Sequence, residues 1–197
     1  MAIIEPTIIL ASQSPYRREL LLRLLPEFAV QAAHADESRL PGEKPAQLAT
    51  RLAQAKATAV AEQTPDALVI GSDQVAALGD RVLGKPGNHA SAAAQLMSCS
   101  GRSVVFHTAV TVMCKDRQFA EKHTDVTTVQ FRKLTESEID AYLRIDEPWD
   151  CAGSFKAEAH GSLLFEAIEN NDPTGLIGLP IIWLAGSLRR AGIQLLK

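Results

Sequence analysis

Apolar residues along this chain alternate between short continuous runs and stretches with helical spacing. Residues 7–10 form a short apolar run and read as a strand. Ser14-Pro15 then supplies an N-cap and a proline at the first helical position. Leu20, Leu21 and Leu24 continue that helix to about Leu25, with Glu19 and Arg23 one turn apart on its outer side. Glu43-Lys44-Pro45 opens a second, alanine-rich helix that reaches about Gln63. Leu68-Val69-Ile70 follows a Pro-Asp turn and has the unbroken apolar character of a strand buried on both faces. From Gln74 to Leu83 the pattern predicts a hairpin turning at Gly79-Asp80.

Asn88 is placed to cap a helix running through Met97. Residues 104–113 and 126–132 read as longer strands. In the second, Val129 and Phe131 alternate with Gln130 and Arg132, so one face is wet. Thr135 and Glu138 form a capping box for a helix to about Arg144. A last helix starts near Pro180 and stops at Gly192. Strands and helices interleave, which predicts an α/β fold with a mixed central sheet flanked by helices, the hairpin supplying the antiparallel part. With no internal repeat or low-complexity linker, residues 1–197 read as one domain with room for a small lobe.

Composition narrows the function classes. A net charge of −3 with both signs mixed along the chain leaves no basic face of the kind that binds nucleic acid. Cys99, Cys114 and Cys151 are odd in number and widely spaced, which argues for reduced thiols rather than disulfides or structural zinc. No stretch approaches the roughly 20 apolar residues that span a bilayer. The first ten residues lack the basic start and apolar run of a signal peptide, so the cytoplasm is the expected location.

Four charged residues stand out of place. Arg17 lies in line with Leu20, Leu21 and Leu24 in the first turn of its helix, beside free backbone N–H groups. It either forms an anion site with the helix N-terminus or snorkels to the surface over its own helix. Lys56 has Leu52, Ala53, Ala59 and Val60 one turn away, whereas Arg51 has Gln47 and Gln54 beside it. An ammonium on an apolar flank meets an anion, from a partner carboxylate or from a ligand. Asp73 follows the strand ending in Ile70-Gly71-Ser72, where α/β sheets gather their ligands. It is a cap for the next turn or a functional acid, and Gly71, which allows close approach, favours function.

Gly84-Lys85-Pro86, with Gly79, nearly spells a P-loop. Its last position is proline, which offers neither a hydroxyl for magnesium nor an N–H for phosphate. Lys85, on a rigid turn, can still reach a phosphate. The five histidines make no i, i+4 pair, which argues against a zinc hydrolase and leaves a Cys151–His pair as the remaining nucleophile reading.

Leu10-Ala11-Ser12-Gln13-Ser14-Pro15-Tyr16-Arg17-Arg18 resembles the opening signature of the Maf-like nucleotide pyrophosphatases. In the order of that family come Asp36-Glu37, Arg51-Leu52-Ala53-x-x-Lys56-Ala57, Ile70-Gly71-Ser72-Asp73-Gln74-Val75 and Gly84-Lys85-Pro86. Cys151-Ala152-Gly153-Ser154-Phe155-Lys156-x-Glu158 and Ile177-Gly178-Leu179-Pro180 complete the series. The resemblance implies a fold shared with house-cleaning, ITPase-like nucleotide pyrophosphatases. It also implies hydrolysis of a nucleoside triphosphate between the α and β phosphates. Asp73 matches the family's general base, and a divalent metal, magnesium or manganese, is required; Asp73 and Glu37 are its candidate ligands. Ser12, Arg17, Lys56, Lys85 and Lys156 match the polar positions expected at the phosphates. A homodimer is also suggested by the resemblance.

Tyr16, Gln74 and Glu158 are similar to the branch of this family that acts on 7-methyl-GTP. Methylation at N7 makes the purine cationic, so a Tyr16 face attracts it while Glu158 accepts hydrogen bonds from the guanine edge. Ala159-His160 departs from the expected glycine and aromatic, so a base pocket of altered shape is expected if that glycine serves a special backbone angle. The competing readings are the same reaction on UTP, dTTP or another modified nucleotide, or a nucleotide-binding regulator of cell division with little turnover. Retention of Asp73, Glu37 and Lys85 argues against the regulator.

Overall fold

The computed structural model describes residues 6–196. Its elements run β1 (Ile8–Leu10), α1 (Pro15–Leu22), β2 (Ala29–Val30), α2 (Pro45–Ala61), β3 (Leu68–Leu78), β4 (Arg81–Leu83) and α3 (His89–Cys99). Then follow β5 (Ser103–Cys114), β6 (Phe119–Phe131), α4 (Glu136–Asp146), a 3-10 turn (His160–Leu164), β7 (Phe165–Glu169) and α5 (Ile181–Arg190). The caps read from sequence form: Ser14 accepts from the Arg17 N–H, Asn88 from Ser91, and Thr135 and Glu138 cap reciprocally.

One seven-stranded mixed sheet has the order β2-β1-β3-β5-β6-β7, with β4 on the edge of β3. β1 pairs in parallel with β2 and β3, and all other pairs are antiparallel. Leu68, Ile70, Val110 and Val112 pack with Leu20, Leu21, Leu184 and Leu188, so α1 and α5 cover one face. Further along lies a second core beside α3 and α4, centred on Phe106, Phe131 and Phe155. Phe155 meets Phe106, Phe131 and Phe165 edge-on at 4.7–5.8 Å between ring centres, the geometry that aromatic quadrupoles prefer. The opposite face is covered by α2, which packs across β3, β5 and β6.

Two strands are longer than their patterns predict. β3 does not end at Ser72 but runs on to Leu78, because every residue from Val69 to Ala77 has a partner on β5. Asp73 therefore sits within a strand, opposite Ala109, rather than beyond one. β6 begins at Phe119, seven residues before Val126; the polar stretch of residues 121–125 hides a strand paired residue by residue with β5. α1 is shorter than expected, ending at Leu22, although Leu25 is still buried beyond it. Among the described residues no helix is long and apolar enough to cross a membrane.

The pairing leaves one gap that matters. β1 accompanies β3 only over Leu68 to Ile70, and β4 joins the same edge only from Ala76. Between them, residues 71–75 of β3 have no strand neighbour on that side among the described residues. The interruption lies just past the carboxyl end of β1, where open α/β sheets place their ligands.

Candidate active site

A cleft of about 740 Å3 opens at this gap, within the size range of small-molecule sites. Ser12, Tyr16, Arg17, Glu37, Lys56, Asp73, Gln74, Lys85 and Glu158 all line it. Lys156 is not among the lining residues; its backbone N–H is held by the Tyr142 hydroxyl at 3.0 Å.

Gly71 sets the position of Lys56. A Cβ there would lie 2.5 Å from the Ala53 carbonyl oxygen and 2.6 Å from the Ala57 nitrogen, so only glycine lets α2 lie this close to β3. That approach places Lys56, between those two alanines in α2, over the next outward position of β3. Its ammonium donates to Asp73 Oδ1 at 2.6 Å and pairs with Glu37 Oε1 at 2.7 Å. The side chains of Lys56 and Asp73 are only 12% and 11% exposed, which shields this pair from solvent; Glu37 is 63% exposed. Both the carboxylate and the ligand alternatives for Lys56 thus remain meaningful, since its carboxylate partners face the cleft.

Arg17 does not snorkel outward. Its Nε donates to the Gly178 carbonyl at 2.9 Å, and Nη1 to Ser12 Oγ at 3.3 Å. Gly178 stands at φ 133°, a backbone angle that side-chain-bearing residues rarely adopt, and its carbonyl also accepts from Ser72 Oγ at 3.2 Å. Burial lowers the Arg17 pKa while Asp73 and Glu37 oppose that fall; a guanidinium starts so high that it stays charged. Ser12 is buried and accepts from the Ser14 N–H at 3.2 Å, at the start of α1. Lys85 adds a third cation to this end of the cleft, and its field acts on Glu37. Hydrogen bonding from Lys56, more than any other influence, holds the Glu37 carboxyl below its usual range.

Glu37 owes its position to Arg51. The Arg51 guanidinium grips the buried Glu43 carboxylate at 2.7 and 2.9 Å, and reaches the carbonyls of Asp36 at 3.5 Å and Ser38 at 2.9 Å. Those two carbonyls bracket Glu37, so a single side chain ties the loop to α2.

The other end of the cleft is aromatic and acidic. Tyr16 Oη lies 3.9 Å from Cys151 Sγ, which in turn lies 3.5 Å from Asp150 Oδ1. Phe106, Ala152, Phe155, Ala157 and Leu176 supply apolar wall. Burial raises the Tyr16 hydroxyl pKa, and the fields of Cys151, Asp150 and Glu158 raise it further. Burial and Asp150 push the Cys151 thiol up to about 12. Among the described residues no histidine hydrogen-bonds to Cys151, and a protonated thiol held by tyrosine and aspartate is not an activated nucleophile, which argues against the Cys151–His reading. Gln74 turns inward: its amide donates to Thr108 Oγ1 at 2.9 Å and to the carbonyls of Gly175 and Leu176 at 3.0 Å. It thereby supports the loop that presents Gly178 to Arg17. Ala159 has φ −120° and ψ −127°, outside the left-handed region that favours glycine.

A family model described as "Maf-like protein" matches residues 7–191. The chain belongs to the Maf-like family. A relative from Albidiferax ferrireducens, named 7-methyl-GTP pyrophosphatase, is 53% identical over 98% of this chain and 97% of its own length. Proteins of the same name from Cupriavidus metallidurans and Xanthomonas oryzae are 51% and 53% identical, covering 95% and 96% of this chain and 94% and 99% of theirs. Among solved structures, the Ham1 protein of Staphylococcus aureus superposes with a TM-score of 0.54 at 12% identity, over 94% of this chain and 99% of that one. A HAM1 protein from Coxiella burnetii gives 0.52 at 16%, over 94% and 100%. These two likenesses concern the fold.

In this Maf-like protein the donor set suits a hard cation. Asp73 and Glu37 already face one positive charge from two sides, and both offer oxygen. Among the described residues no group of three or more His, Cys, Asp or Glu converges as a cage. Magnesium fits that pattern, since it commonly takes one or two carboxylates, keeps waters and shares substrate phosphates. Sequence reasoning passed over Arg51 as a solvated helix residue and did not single out Asp150. For Arg51 the available signal was Glu43, eight positions earlier and ahead of a helix-opening proline.

Proposed function

We propose that this Maf-like protein hydrolyses the α–β phosphate linkage of nucleoside triphosphates, with 7-methyl-GTP preferred, releasing nucleoside monophosphate and pyrophosphate. The observation that carries the reading is the polarity of the cleft. Arg17, Lys56 and Lys85 surround Asp73 at one end, while Tyr16, Asp150 and Glu158 stand at the other. A triphosphate brings roughly four negative charges, which must be neutralised before water attacks phosphorus. Three cations in an otherwise acidic protein, together with a divalent metal, would meet that need.

In the reaction the water oxygen bonds to phosphorus, the bridging P–O bond breaks, and a proton from water must be taken up. Asp73 serves by accepting that proton or by holding the cation that acidifies the water. Both roles use the carboxylate that Lys56 contacts. Asp73 and Glu37 would hold magnesium or manganese, which supplies phosphate charge neutralisation and a more acidic water. At the far end, a purine made cationic at N7 is drawn to the Tyr16 face and to two carboxylates, and Glu158 accepts from the guanine N1–H and amino group. Names of relatives half identical to this chain point to the same substrate. The reading places the enzyme in the cytoplasmic nucleotide pool, where it removes a modified nucleotide.

Pyrophosphate release from a nucleotide panel with Mg²⁺ or Mn²⁺ tests it, with Asp73→Asn as control. Turnover of 7-methyl-GTP well above GTP, UTP and dTTP, lost in the variant, is the expected result. Binding without cleavage of any nucleotide would overturn it and favour a regulator.

A further inference from the structure

The ammonium of Lys56 lies between the two carboxylates that the proposed function assigns to the metal, 2.6 Å from Asp73 and 2.7 Å from Glu37. We propose that Lys56 is an internal stand-in for the divalent cation: it keeps the nucleotide-free site closed to metal, and metal is taken up together with the triphosphate. This inference rests on the assignment of Asp73 and Glu37 as metal ligands.

Three observations support it. First, the stand-in is held in place. The close approach of α2 at Gly71 fixes the root of Lys56, and little of its side chain is exposed. Second, the two carboxylates are a minimal donor set, with no third acidic or imidazole group among the described residues to outbid the ammonium. A divalent cation entering alone would meet Lys56 at contact distance, with Arg17 also facing both carboxylates and Lys85 facing Glu37. Third, the lysine has somewhere else to go. Its flexible four-carbon stem carries a compact charge that can be transferred to another anion. The phosphates of a nucleotide are such an anion, and they also complete the coordination that magnesium prefers. Arrival of the triphosphate thus removes the competitor and adds the missing ligands in one step. By linkage, metal then tightens nucleotide by the same factor that nucleotide tightens metal.

The test is Mn²⁺ binding to the nucleotide-free protein, followed by calorimetry and by the electron paramagnetic signal of free Mn²⁺. Lys56→Gln is expected to bind Mn²⁺ on the order of tenfold or more tighter than the unaltered protein, within the usual range of coupling. Lys56→Arg keeps the charge and is expected to stay weak, which separates removal of the cation from disturbance of α2. Adding Asp73→Asn to Lys56→Gln should abolish the gain. With the non-cleavable α,β-methylene analogue of GTP present, the unaltered protein should take up Mn²⁺ in a manner that Asp73→Asn removes. If Lys56→Gln binds no tighter while that Asp73-dependent uptake is seen, the stand-in is wrong and the metal assignment stands. If no Asp73-dependent uptake occurs in any variant, with or without the analogue, the metal assignment fails first and the stand-in with it.

Discussion

At the phosphate end of the cleft, Arg17 and Lys56 project from helices α1 and α2, and Asp73 from the longest-paired part of β3. At the base end, Asp150, Cys151 and Glu158 ride on the irregular connection between α4 and the 3-10 turn. That connection departs from α4 through Glu147 at φ 45° and turns through Gly153 and Ser154 at 82° and 63°. Arg17, Lys56 and Asp73 are thus held by regular elements and by contacts that leave little freedom, while Glu37 and Lys85 ride on the connections before α2 and after β4. The base end is held by packing of Phe155 and by a hydrogen bond between Ser154 Oγ and Gln95 at 2.5 Å. The central acid and two of the three cations are built on scaffold, whereas, Tyr16 on α1 apart, the acidic residues facing the base are built on loop, which tolerates change.

If this division is right, damage at the phosphate end lowers turnover of every nucleotide alike. Asp73→Asn is expected to reduce kcat on the order of 10² to 10⁴-fold, the span usual for a lost acid-base group. The ratio of 7-methyl-GTP to GTP turnover should stay unchanged. Steady-state pyrophosphate release on both substrates checks it, and a changed ratio would break the division.

Gly71→Ala strikes the scaffold beneath the chemistry. The new methyl would sit 2.5–2.8 Å from Ala53 and Ala57, mostly against backbone that has nowhere cheap to move. Overpacking of this kind costs about 1–3 kcal/mol. Urea unfolding should show that loss, and kcat should fall on both nucleotides because Lys56 is moved off Asp73. Retained stability with retained activity would mean that the close helix approach does not position Lys56.

How legible these features were in the sequence follows from how loudly each residue breaks a local rule. Lys56 on an apolar helix flank and Arg17 in line with leucines conflict with burial preferences, so both announced themselves. Gly71 in an apolar strand did the same. Arg51 broke no rule: with Gln47 and Gln54 as neighbours it looked solvated, and its role appears only when residues 36–43 fold back on α2. The start of β6 was hidden because strand pairing with β5, not alternation, holds residues 121–125. Lys156 matched a motif, yet a motif fixes order along the chain and not direction of the side chain. The topology that leaves β3 unpartnered between β1 and β4 depends on lengths of pairing, which no local pattern states.

At the base end, Glu158→Gln sharpens the comparison from the opposite side. An amide in place of the carboxylate offers a donor where the guanine edge also donates, and it removes one negative charge facing the cationic ring. Discrimination for 7-methyl-GTP over GTP is expected to fall about tenfold, in line with 1–3 kcal/mol for such pocket changes, with GTP turnover little altered. A uniform loss on both substrates would place Glu158 in the chemistry instead.

The smallest effect concerns Cys151 and is read in stability rather than turnover. Its thiol is raised from an ordinary 9.0 to about 12, first by burial and then by Asp150. A raised folded-state pKa means that the folded protein holds this proton more tightly than the unfolded chain does. The resulting stability is fully present below about pH 9 and is lost as pH rises through about 12. Burial also raises the hydroxyls of Tyr16 and Tyr142 in the folded protein, so the unaltered protein alone cannot isolate the thiol. Cys151→Ser removes the ionising group and keeps a small side chain beside Tyr16. Urea midpoints measured from pH 8 to 11 should fall more steeply for the unaltered protein than for the variant. Parallel slopes would mean that the thiol ionises freely, and its burial beside Tyr16 and Asp150 would not hold the proton.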